Sequence, residues 1–330
     1  MDISIIIPLY NEEESIPHLV SWIEKVVTEH GYSYEIIMVN DGSSDLSWEI
    51  IENCAAKNKN IKGISFRRNY GKSAALYCGF EASHGDVVIT MDADLQDSPD
   101  EIPELYRMIV EEKYDLVSGW KKKRYDSKLT KNLPSKLYNA TARKISGVKL
   151  HDMNCGLKAY RRNVVKSIEV YGEMHRYIPI IAKWAGFYNI GEKVVEHRAR
   201  QYGTTKFGLS RFIYGYLDLL SIMFISKFGK SPMHLFGAVG SLMFFLGFAS
   251  TVWLGLYKIY CLSSGIPAIL VTDNPYFYIA LTAMMLGTQL FLAGFLGELI
   301  SRNSTERNKY LINRTVGIEK MDVKNKHTYI

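Results

Sequence analysis

Two long uncharged stretches constrain this chain more than any other feature of its sequence. No charged residue occurs between Leu235 and Tyr257, or between Pro275 and Gly297. A helix crosses the hydrocarbon core of a bilayer in about 20 residues, so each stretch is long enough to do so. The alternative, two buried helices of a soluble domain, fits such lengths poorly. We therefore predict transmembrane helices over 235–257 and 275–297.

Charges around these stretches indicate their orientation. Basic residues precede the first stretch and follow the second. They are Lys227 and Lys230 before the first, and Arg302, Arg307 and Lys309 after the second. The connecting loop 258–274 carries one lysine and one aspartate. By the positive-inside rule both flanks are cytoplasmic and the loop faces out. We expect the polar tail 298–330 to be loosely ordered, on the same side as the first domain.

The first 120 residues alternate strand and helix patterns. Short apolar runs rich in β-branched residues occur at 3–10, 34–42, 61–66, 86–94 and 114–120. Helical patterns lie between them, for example at 13–29 and at 45–57, where Ser44 or Asp45 is a candidate N-cap. Continuous apolar strands alternating with helices indicate an α/β fold with a parallel sheet covered on both faces.

Polar residues follow several of these predicted strands directly. They are Tyr10, Asn11 and Glu12; Asn40 and Asp41; Arg67 and Arg68; and Asp92 and Asp94. Ligands of open α/β sheets bind at the carboxyl ends of the strands. This edge of the sheet is therefore the predicted functional site.

The charge distribution and the cysteine spacing disfavour several classes of function. The net charge is +6, and the basic residues cluster at 121–144, 158–166 and 198–230. Such clusters suit anionic lipid or phosphate, and no nucleic-acid-binding motif accompanies them, so we expect no nucleic acid partner. The four cysteines form no CxxC pair, which disfavours a zinc site and fits a reducing compartment. Met1 leads straight into an apolar run without a signal-peptide pattern, so we expect the first domain to stay in the cytoplasm.

The segment MDADLQD (91–97) carries the strongest local signal for chemistry. Asp92 and Asp94 follow a buried strand two residues apart, with Gln96 beyond them. Oxygen ligands at a strand end can hold Mg²⁺ or Mn²⁺, which is shared with phosphate oxygens. Such an ion would offset the charge on a diphosphate leaving group.

A GKS sequence at 71–73 needs a separate interpretation. A Walker A motif has glycine five residues before Gly71, where this chain has Phe66, so ATP or GTP hydrolysis is disfavoured. Lys72 either meets a phosphate or is a solvated helix residue.

Residues 208–230 have the pattern of an amphipathic helix. Apolar residues recur at helical spacing from Leu209 to Phe224, and polar residues lie off that stripe. Packing on the soluble domain is one interpretation. The position just before an uncharged stretch favours a helix that lies in the membrane interface.

Four segments together resemble the family 2 glycosyltransferases: IIIPLYNEE (5–13), VNDGSSD (39–45), RNYGKSAALYCGFEASHGD (68–86) and MDADLQDSPDEIPEL (91–105). The resemblance is to the polyprenyl-phosphate branch, which includes dolichol-phosphate mannose synthases, bactoprenol glucosyltransferases and the undecaprenyl-phosphate aminoarabinose transferase. It implies a GT-A, Rossmann-like domain over 1–207, followed by the interfacial helix 208–230 and the two-helix transmembrane hairpin. It also implies location in the inner (plasma) membrane and a possible homo-oligomer.

The resemblance implies roles on the donor side. Pro8, Tyr10, Glu12 and Lys72 would contact the nucleotide. Asp41 would meet the base, although Asp-Gly is also a common turn sequence. Asp92 would contact ribose or metal and act with Asp94 in catalysis. Asp94 and Gln96 would bind Mg²⁺ or Mn²⁺. The segment HDMNCGLKAYRR (151–162) would lie beneath the sugar, where Asp152 and Asn154 would hold its hydroxyls. The segment GEMHRYIP (172–179) would place His175 and Arg176 near the sugar or the diphosphate, although a lone histidine is more often structural.

The resemblance also implies a lipid-phosphate site. Arg124, Lys131 and Ser135 belong to one basic segment, and Arg200 and Lys206 to a second. Trp120 stands where the family pattern has arginine, so Arg124, Lys128 or Lys131 would replace that arginine. A basic membrane-facing surface is the simpler interpretation of these charges, and both can hold together.

We therefore expect a metal-dependent inverting enzyme that transfers a sugar from a nucleotide-sugar, UDP-linked by resemblance, to polyprenyl phosphate. Two alternatives stay open: a processive polysaccharide synthase and a catalytically silent nucleotide-sugar-binding membrane protein. The absence of a QxxRW motif disfavours the first. The intact Asp92, Asp94 and Gln96 disfavour the second.

Overall fold

The computed structural model describes residues 1–122, 147–198, 232–267, 269–303, 310 and 312–318. The chain divides into two compact units, Met1–Leu219 with Asn308–Ile330, and Leu220–Arg307. The predictions for Arg124, Lys131, Ser135, Arg200, Lys206 and the interfacial helix 208–230 concern residues outside this described set.

Strands and helices alternate through the first part of unit 1. The strands are β1 (Ile3–Leu9), β2 (Tyr34–Asn40), β3 (Ile61–Phe66), β4 (Val87–Thr90) and β5 (Leu116–Trp120). The helices between them are α1 (Ile16–Glu29), α2 (Ser47–Lys57), α3 (Lys72–Ala82) and α4 (Ile102–Val110), which follows a 3-10 turn at Pro99–Glu101. The N-cap of α2 is Leu46, not Ser44 or Asp45 as predicted, although Asp45 accepts the N–H of Ser47 at 3.0 Å.

The later elements of unit 1 complete the sheet. They are β6 (Lys158–Arg161), α5 (Arg162–Ser167), a 3-10 turn at Met174–Arg176, α6 (Ile178–Trp184), β7 (Ile190–Val194) and β8 (Ile312–Val316). The described strands have the order β7-β5-β6-β4-β1-β2-β3-β8. The strands β4, β1, β2 and β3 are parallel neighbours, and β5 pairs in parallel with β7.

Two antiparallel strands correct the expectation of a parallel sheet. Strand β6 runs against both β4 and β5, and β8 runs against β3. Strand β6 has the sequence KAYR and β8 has INRTV. Neither is an apolar run, so hydrophobic patterning did not predict them. The sheet is mixed, which is common among large α/β sheets.

Strand β8 also corrects the expectation of a loosely ordered tail. Its backbone pairs Gly63 with Val316 and Ile64 with Thr315, which makes it the edge strand beside β3. Tyr310, just before it, packs on Phe66, Tyr70 and Tyr77 with ring centroids 5.8, 5.4 and 6.3 Å apart. Residues 312–316 of the tail therefore belong to the sheet of the first domain.

The sheet is buried on both faces, as its continuous apolar strands predict. Ile3, Ile5 and Ile7 of β1 pack in one core with α1 and α4. Ile37 and Val39 of β2 pack in a second core with α3. Successive residues of a strand point to opposite faces, so each strand supplies both cores.

Unit 2 consists of two long apolar helices, α7 (Pro232–Ser263) and α8 (Pro275–Asn303), with a 3-10 turn at Val271–Asp273. They contain the two stretches predicted to span a membrane. Met233–Ser263 and Pro275–Ile300 each have a mean hydropathy of 1.8, and only 17% of each apolar window is buried. Helices in the core of a soluble protein would be mostly buried, so this exposure favours the membrane interpretation.

Glycines let the two helices approach closely. A Cβ at Gly240 would lie 2.5 Å from the carbonyl oxygen of Gly287, and one at Gly247 would lie 2.5 Å from that of Ala280. Small residues at helix contacts are typical of membrane helix pairs. The register, with Gly240 opposite Gly287 and Gly247 opposite Ala280, is that of an antiparallel hairpin.

Candidate active site

The candidate site lies at the carboxyl edge of the three central strands. Strand β1 ends at Leu9, β2 at Asn40 and β4 at Thr90, and β1 lies between the other two. The polar residues that follow each strand therefore meet at one edge, as the sequence predicted.

Asp92 and Lys72 form an ion pair at this edge. Lys72, the first residue of α3, donates to Oδ1 of Asp92, and the two side chains are 34% and 30% exposed. Burial alone would raise the pKa of Asp92, but Lys72, Lys121 and Lys158 together lower it to about 2. Asp92 is therefore an anion at neutral pH. Lys72 is therefore paired at this edge, and a role at the phosphates stays a prediction.

A glycine from another segment makes room for the Asp92 carboxylate. A Cβ at Gly156 would lie 2.4 Å from Oδ2 and 2.8 Å from Oδ1 of Asp92. The hydroxyl of Thr90, at the end of β4, donates to the carbonyl of Gly156 at 2.9 Å and fixes the approach of the two segments. No sequence pattern predicts a role for Gly156. Its only signal was its place in the segment HDMNCGLKAYRR.

Asp94 and Gln96 lie on either side of a strained turn. Leu95 has φ 58°, a conformation that favours glycine and is found at functional sites. The buried Asp94 accepts the backbone N–H of Gln96 at 3.2 Å. The Gln96 side chain donates from Nε2 to the carbonyl of Arg198 at 3.4 Å. Because Nε2 is used in this way, Oε1 is the amide atom that can accept or coordinate.

These oxygen donors could bind a divalent metal ion only if a substrate supplied further ligands. The described part of the chain holds no group of three or more His, Cys, Asp or Glu side chains that could hold a metal. Asp94 and Gln96 supply hard oxygen ligands, whereas the carboxylate of Asp92 is engaged by Lys72. Mg²⁺ is commonly bound by one or two carboxylates together with substrate phosphates, and this donor set matches that pattern.

Asp41 holds the loop that leads into α3. Its carboxylate accepts the N–H groups of Tyr70 at 2.7 Å and Gly71 at 2.9 Å. Burial raises the pKa of Asp41, although both hydrogen bonds oppose that rise. Gly42 follows with φ 70°, and a Cβ there would lie 2.5 Å from the backbone of Arg68. Asp41 thus positions the loop before Lys72, through contacts that the Asp-Gly pattern alone did not predict.

The loop after β1 is tied to the loop after β2. Asn11, at φ 57°, donates its N–H to Ser43 at 2.9 Å and accepts the N–H of Ser44 at 2.9 Å. Glu12 accepts the hydroxyl of Ser15 at 3.2 Å. Pro8 lies within β1, and Tyr10, directly after it, is 40% exposed. The predicted nucleotide residues therefore border the same edge as Asp41.

Two lysines near Asp92, the half-buried Lys121 and the buried Lys158, were not predicted as site residues. Lys121 pairs with the fully buried Asp97 at 2.7 Å, and Asp97 holds the pKa of Lys121 above its usual value although burial opposes this. Lys158 is only 3% exposed and donates to the carbonyl of Cys155, and burial lowers its pKa. Both lysines belong to the basic clusters noted in the sequence, but lysine is almost never fully buried, so their positions near Asp92 were not predicted.

His175 lies beside the start of α3. Its ring Nδ1 is 3.1 Å from Oγ of Ser73, and its backbone N–H donates to the same Oγ at 3.0 Å. Burial, together with Lys72, Arg176 and Lys158, holds the pKa of His175 well below its usual value. The imidazole is therefore neutral at pH 7. Arg176 is paired with Glu173 at 3.1 Å.

The remaining predicted sugar residues differ in exposure. Asp152 is buried and accepts the N–H of Asn154 at 3.1 Å, while Asn154 itself is exposed. Nearby, Trp120 stacks on His151 with ring centroids 4.2 Å apart, at the position where the family pattern has arginine. An aromatic stack therefore ends β5, with Nζ of Lys122 5.8 Å from the centroid of the Trp120 ring.

Comparison with known proteins agrees with the fold and the motifs. The model of the family described as glycosyl transferase family 2 matches residues 4–169. Dodecaprenyl-phosphate galacturonate synthase of Rhizobium johnstonii is 34% identical over 92% of this chain and 88% of its own length. Undecaprenyl-phosphate 4-deoxy-4-formamido-L-arabinose transferase of Aeromonas hydrophila is 36% identical over 95% of this chain and 94% of its own length. The chain belongs to glycosyl transferase family 2.

Solved structures share the fold of the first unit. Mannosyl-3-phosphoglycerate synthase from Rubrobacter xylanophilus superposes with a TM-score of 0.53 at 17% identity, over 69% of this chain and 75% of that one. Glucosyl-3-phosphoglycerate synthase from Mycobacterium tuberculosis, solved with Mn²⁺ and UDP-glucose, has a TM-score of 0.51 at 20% identity, over 68% and 78%. These similarities confirm the predicted GT-A architecture.

Proposed function

We propose that this protein transfers a sugar from a nucleotide-sugar to polyprenyl phosphate at the cytoplasmic face of the inner (plasma) membrane. The observation that carries the proposal is the cluster of Asp41, Lys72, Asp92 and Asp94 at the carboxyl edge of β1, β2 and β4. The names of relatives that match more than nine-tenths of the chain support the lipid phosphate as acceptor. UDP is the proposed nucleotide.

On the donor side, Pro8, Tyr10, Glu12 and Asp41 would border the nucleoside. Asp94 and Gln96 would hold Mg²⁺ or Mn²⁺ against the diphosphate, where the ion neutralises charge on the departing group. Lys72 keeps Asp92 ionised and adds a positive charge at the same edge. The sugar would lie between Asp92 and the segment that carries Asp152, Asn154, His175 and Arg176.

The acceptor needs little activation. A phosphomonoester has a second pKa near 6, so its oxygen is already a nucleophile at neutral pH. The enzyme must instead hold two anionic substrates together, which requires positioning and fixed positive charge. Direct attack by the phosphate oxygen forms the new sugar–oxygen bond as the bond to the diphosphate breaks, and inverts the anomeric carbon. Arg124, Lys131, Ser135, Arg200 and Lys206 are the proposed acceptor residues.

The tail strand supports the proposed topology. Strand β8 pairs with β3, so the chain after α8 belongs to the same unit as the chain before α7. If α7 and α8 both cross the membrane, the chain returns to the side from which it left. The first unit then lies on the side of the membrane where the flanking positive charges are, which is the cytoplasmic side.

Turnover by the purified full-length protein tests the proposal. The assay contains detergent, Mn²⁺ or Mg²⁺, undecaprenyl phosphate and a panel of UDP- and GDP-sugars. We expect a lipid-extractable sugar that is lost with EDTA and in Asp94→Ala. Asp86→Ala is the matched control, because Asp86 is exposed at the opposite end of β4.

Other outcomes would contradict parts of the proposal. Donor hydrolysis or polymer formation without a lipid product would indicate a different acceptor, as in a processive synthase. A folded protein that turns over no donor would indicate a silent binding protein. Full activity of Asp94→Ala would remove Asp94 from the metal site.

A further inference from the structure

The hydrogen bonds of Ser73 assign the proton of a neighbouring imidazole. Ser73 is fully buried in the first turn of α3, and its Oγ accepts the backbone N–H of His175 at 3.0 Å. The same Oγ lies 3.1 Å from ring Nδ1 of His175. A hydroxyl has one proton to donate and can accept two hydrogen bonds. The buried hydroxyl proton needs an acceptor, and among the described residues Nδ1 is the one within reach, so the hydroxyl donates to Nδ1.

This arrangement selects one form of the ring. A neutral imidazole carries its proton on one nitrogen only, so an Nδ1 that accepts leaves the proton on Nε2. A protonated ring would donate from Nδ1 and leave the buried Ser73 hydroxyl proton without its partner, which costs free energy. The described part of the chain offers Nε2 no hydrogen-bond partner.

The charges around the ring indicate what Nε2–H would meet. Lys72 from α3, Lys158 from β6 and Arg176 from the 3-10 turn all act on the ring as cations, and Asp92 is the one anion among its strongest electrostatic partners. Lys72 already neutralises Asp92. A net positive surrounding with a neutral donor attracts an anionic oxygen, and the groups of that kind in the proposed reaction are phosphates.

We propose that Ser73 is a positioning residue that holds His175 as the neutral, Nε2-protonated tautomer, so that the ring donates a hydrogen bond to a phosphate oxygen of a bound substrate. The inference rests on the proposed function for its ligand, but the tautomer itself does not depend on it. The phosphate belongs either to the nucleotide diphosphate or to the polyprenyl phosphate.

A direct measurement decides the tautomer. Full-length protein labelled with ¹⁵N-histidine is examined by NMR at pH 7.5, and His175→Gln identifies the signals of His175. We expect an unprotonated Nδ1 and a protonated Nε2. A protonated Nδ1, in either the other tautomer or the cation, would overturn the proposal whether or not the protein is active.

Kinetics decide whether Ser73 acts through His175. Ser73→Ala should lower kcat by about ten-fold, since an unpositioned donor loses part of what an oxyanion donor contributes. In a His175→Ala background the same change should alter kcat by less than about two-fold. An equal loss in both backgrounds would show a merely structural role. Ser83→Ala is the matched control, because it removes another buried hydroxyl, at the far end of α3, which donates to the carbonyl of Phe80 at 2.7 Å.

Substrate dependence separates the two phosphates. If the diphosphate is the ligand, His175→Ala should weaken inhibition by UDP and leave the KM for polyprenyl phosphate unchanged. If the lipid phosphate is the ligand, the KM for polyprenyl phosphate should rise while UDP inhibition stays the same. Unchanged UDP inhibition, lipid KM and kcat would overturn the proposal. A wild-type protein without lipid product would instead refute the proposed function and leave the NMR result standing.

Discussion

Replacing Gly156 by alanine should damage the site while sparing the fold. The new Cβ would lie 2.4 Å from Oδ2 of Asp92, and ordinary contact begins near 3.4 Å, so the carboxylate must move by about 1 Å. A misplacement of about 1 Å can cost about 100-fold in rate. We therefore expect Gly156→Ala to lower kcat by about two orders of magnitude in the lipid-product assay.

The stability of the variant should change little. The three atoms nearest to the new Cβ all belong to the end of the Asp92 side chain, which can rotate away without moving backbone. Overpacking costs about 1–3 kcal/mol where the surrounding atoms cannot move. Replacing glycine also lowers the conformational entropy of the unfolded chain, which offsets that cost by up to about 1 kcal/mol. The free energy of unfolding should thus stay within about 1 kcal/mol of wild type, measured by urea titration in detergent.

Gly79→Ala is the matched control with the opposite signature. Its Cβ would lie 2.4 Å from Cγ2 of Ile6 in the core beneath α3, away from the site carboxylates. It should lower stability and leave the kcat of the folded fraction near that of wild type. A Gly156→Ala protein with normal stability and normal kcat would refute the idea that the position of the Asp92 carboxylate matters.

Three further outcomes follow from the same geometry. Lys72→Met should lower kcat at least ten-fold, measured by kinetics. It should also lower the free energy of unfolding by about 1 kcal/mol in urea titrations, less than breaking a fully buried pair would, because both partners are about a third exposed. The pKa of Asp92 is lowered to about 2, so its contribution to stability is complete above about pH 5 and is lost as the pH falls from about 4 to 2. In urea titrations, the free energy of unfolding of the wild type should therefore fall by about 1 kcal/mol more than that of Asp92→Asn between pH 5 and pH 3. Tyr310→Ala should raise the KM for the nucleotide-sugar several-fold, because its ring packs on Tyr70, whose N–H binds Asp41; the exposed Tyr188→Ala should leave that KM unchanged.

The sequence predicted the parts of the fold whose residues repeat a pattern. Strands β1 to β5 are buried on both faces, so they appear as apolar runs, and the polar residues after them mark the carboxyl edge. Strands β6 and β8 follow no such pattern, because each has a polar composition and gains its place from a neighbouring strand.

The sequence predicted the candidate site residues whose chemistry determines the residue type. It did not predict those whose small size or packing determines it. Carboxylates at a strand end indicate cation or phosphate chemistry, so Asp92 and Asp94 were evident. Gly156 matters because its backbone lies against the carboxylate of Asp92, which is distant in the sequence, and no local pattern records that approach. The buried Lys158 and the bond between Ser73 and His175 likewise arise only from tertiary packing.

Strand β8 makes the catalytic unit discontinuous along the chain. The apolar hairpin behaves as a long insertion between residues 219 and 308 of a single folded body, not as a tail appended to it. A protein cut after residue 207 would lose β8, leave the backbone of β3 as an open edge, and uncover the rings of Phe66, Tyr70 and Tyr77. Open edges with apolar rings template aggregation. A soluble form of this enzyme is better obtained by replacing the hairpin with a short polar linker that retains residues 310–318.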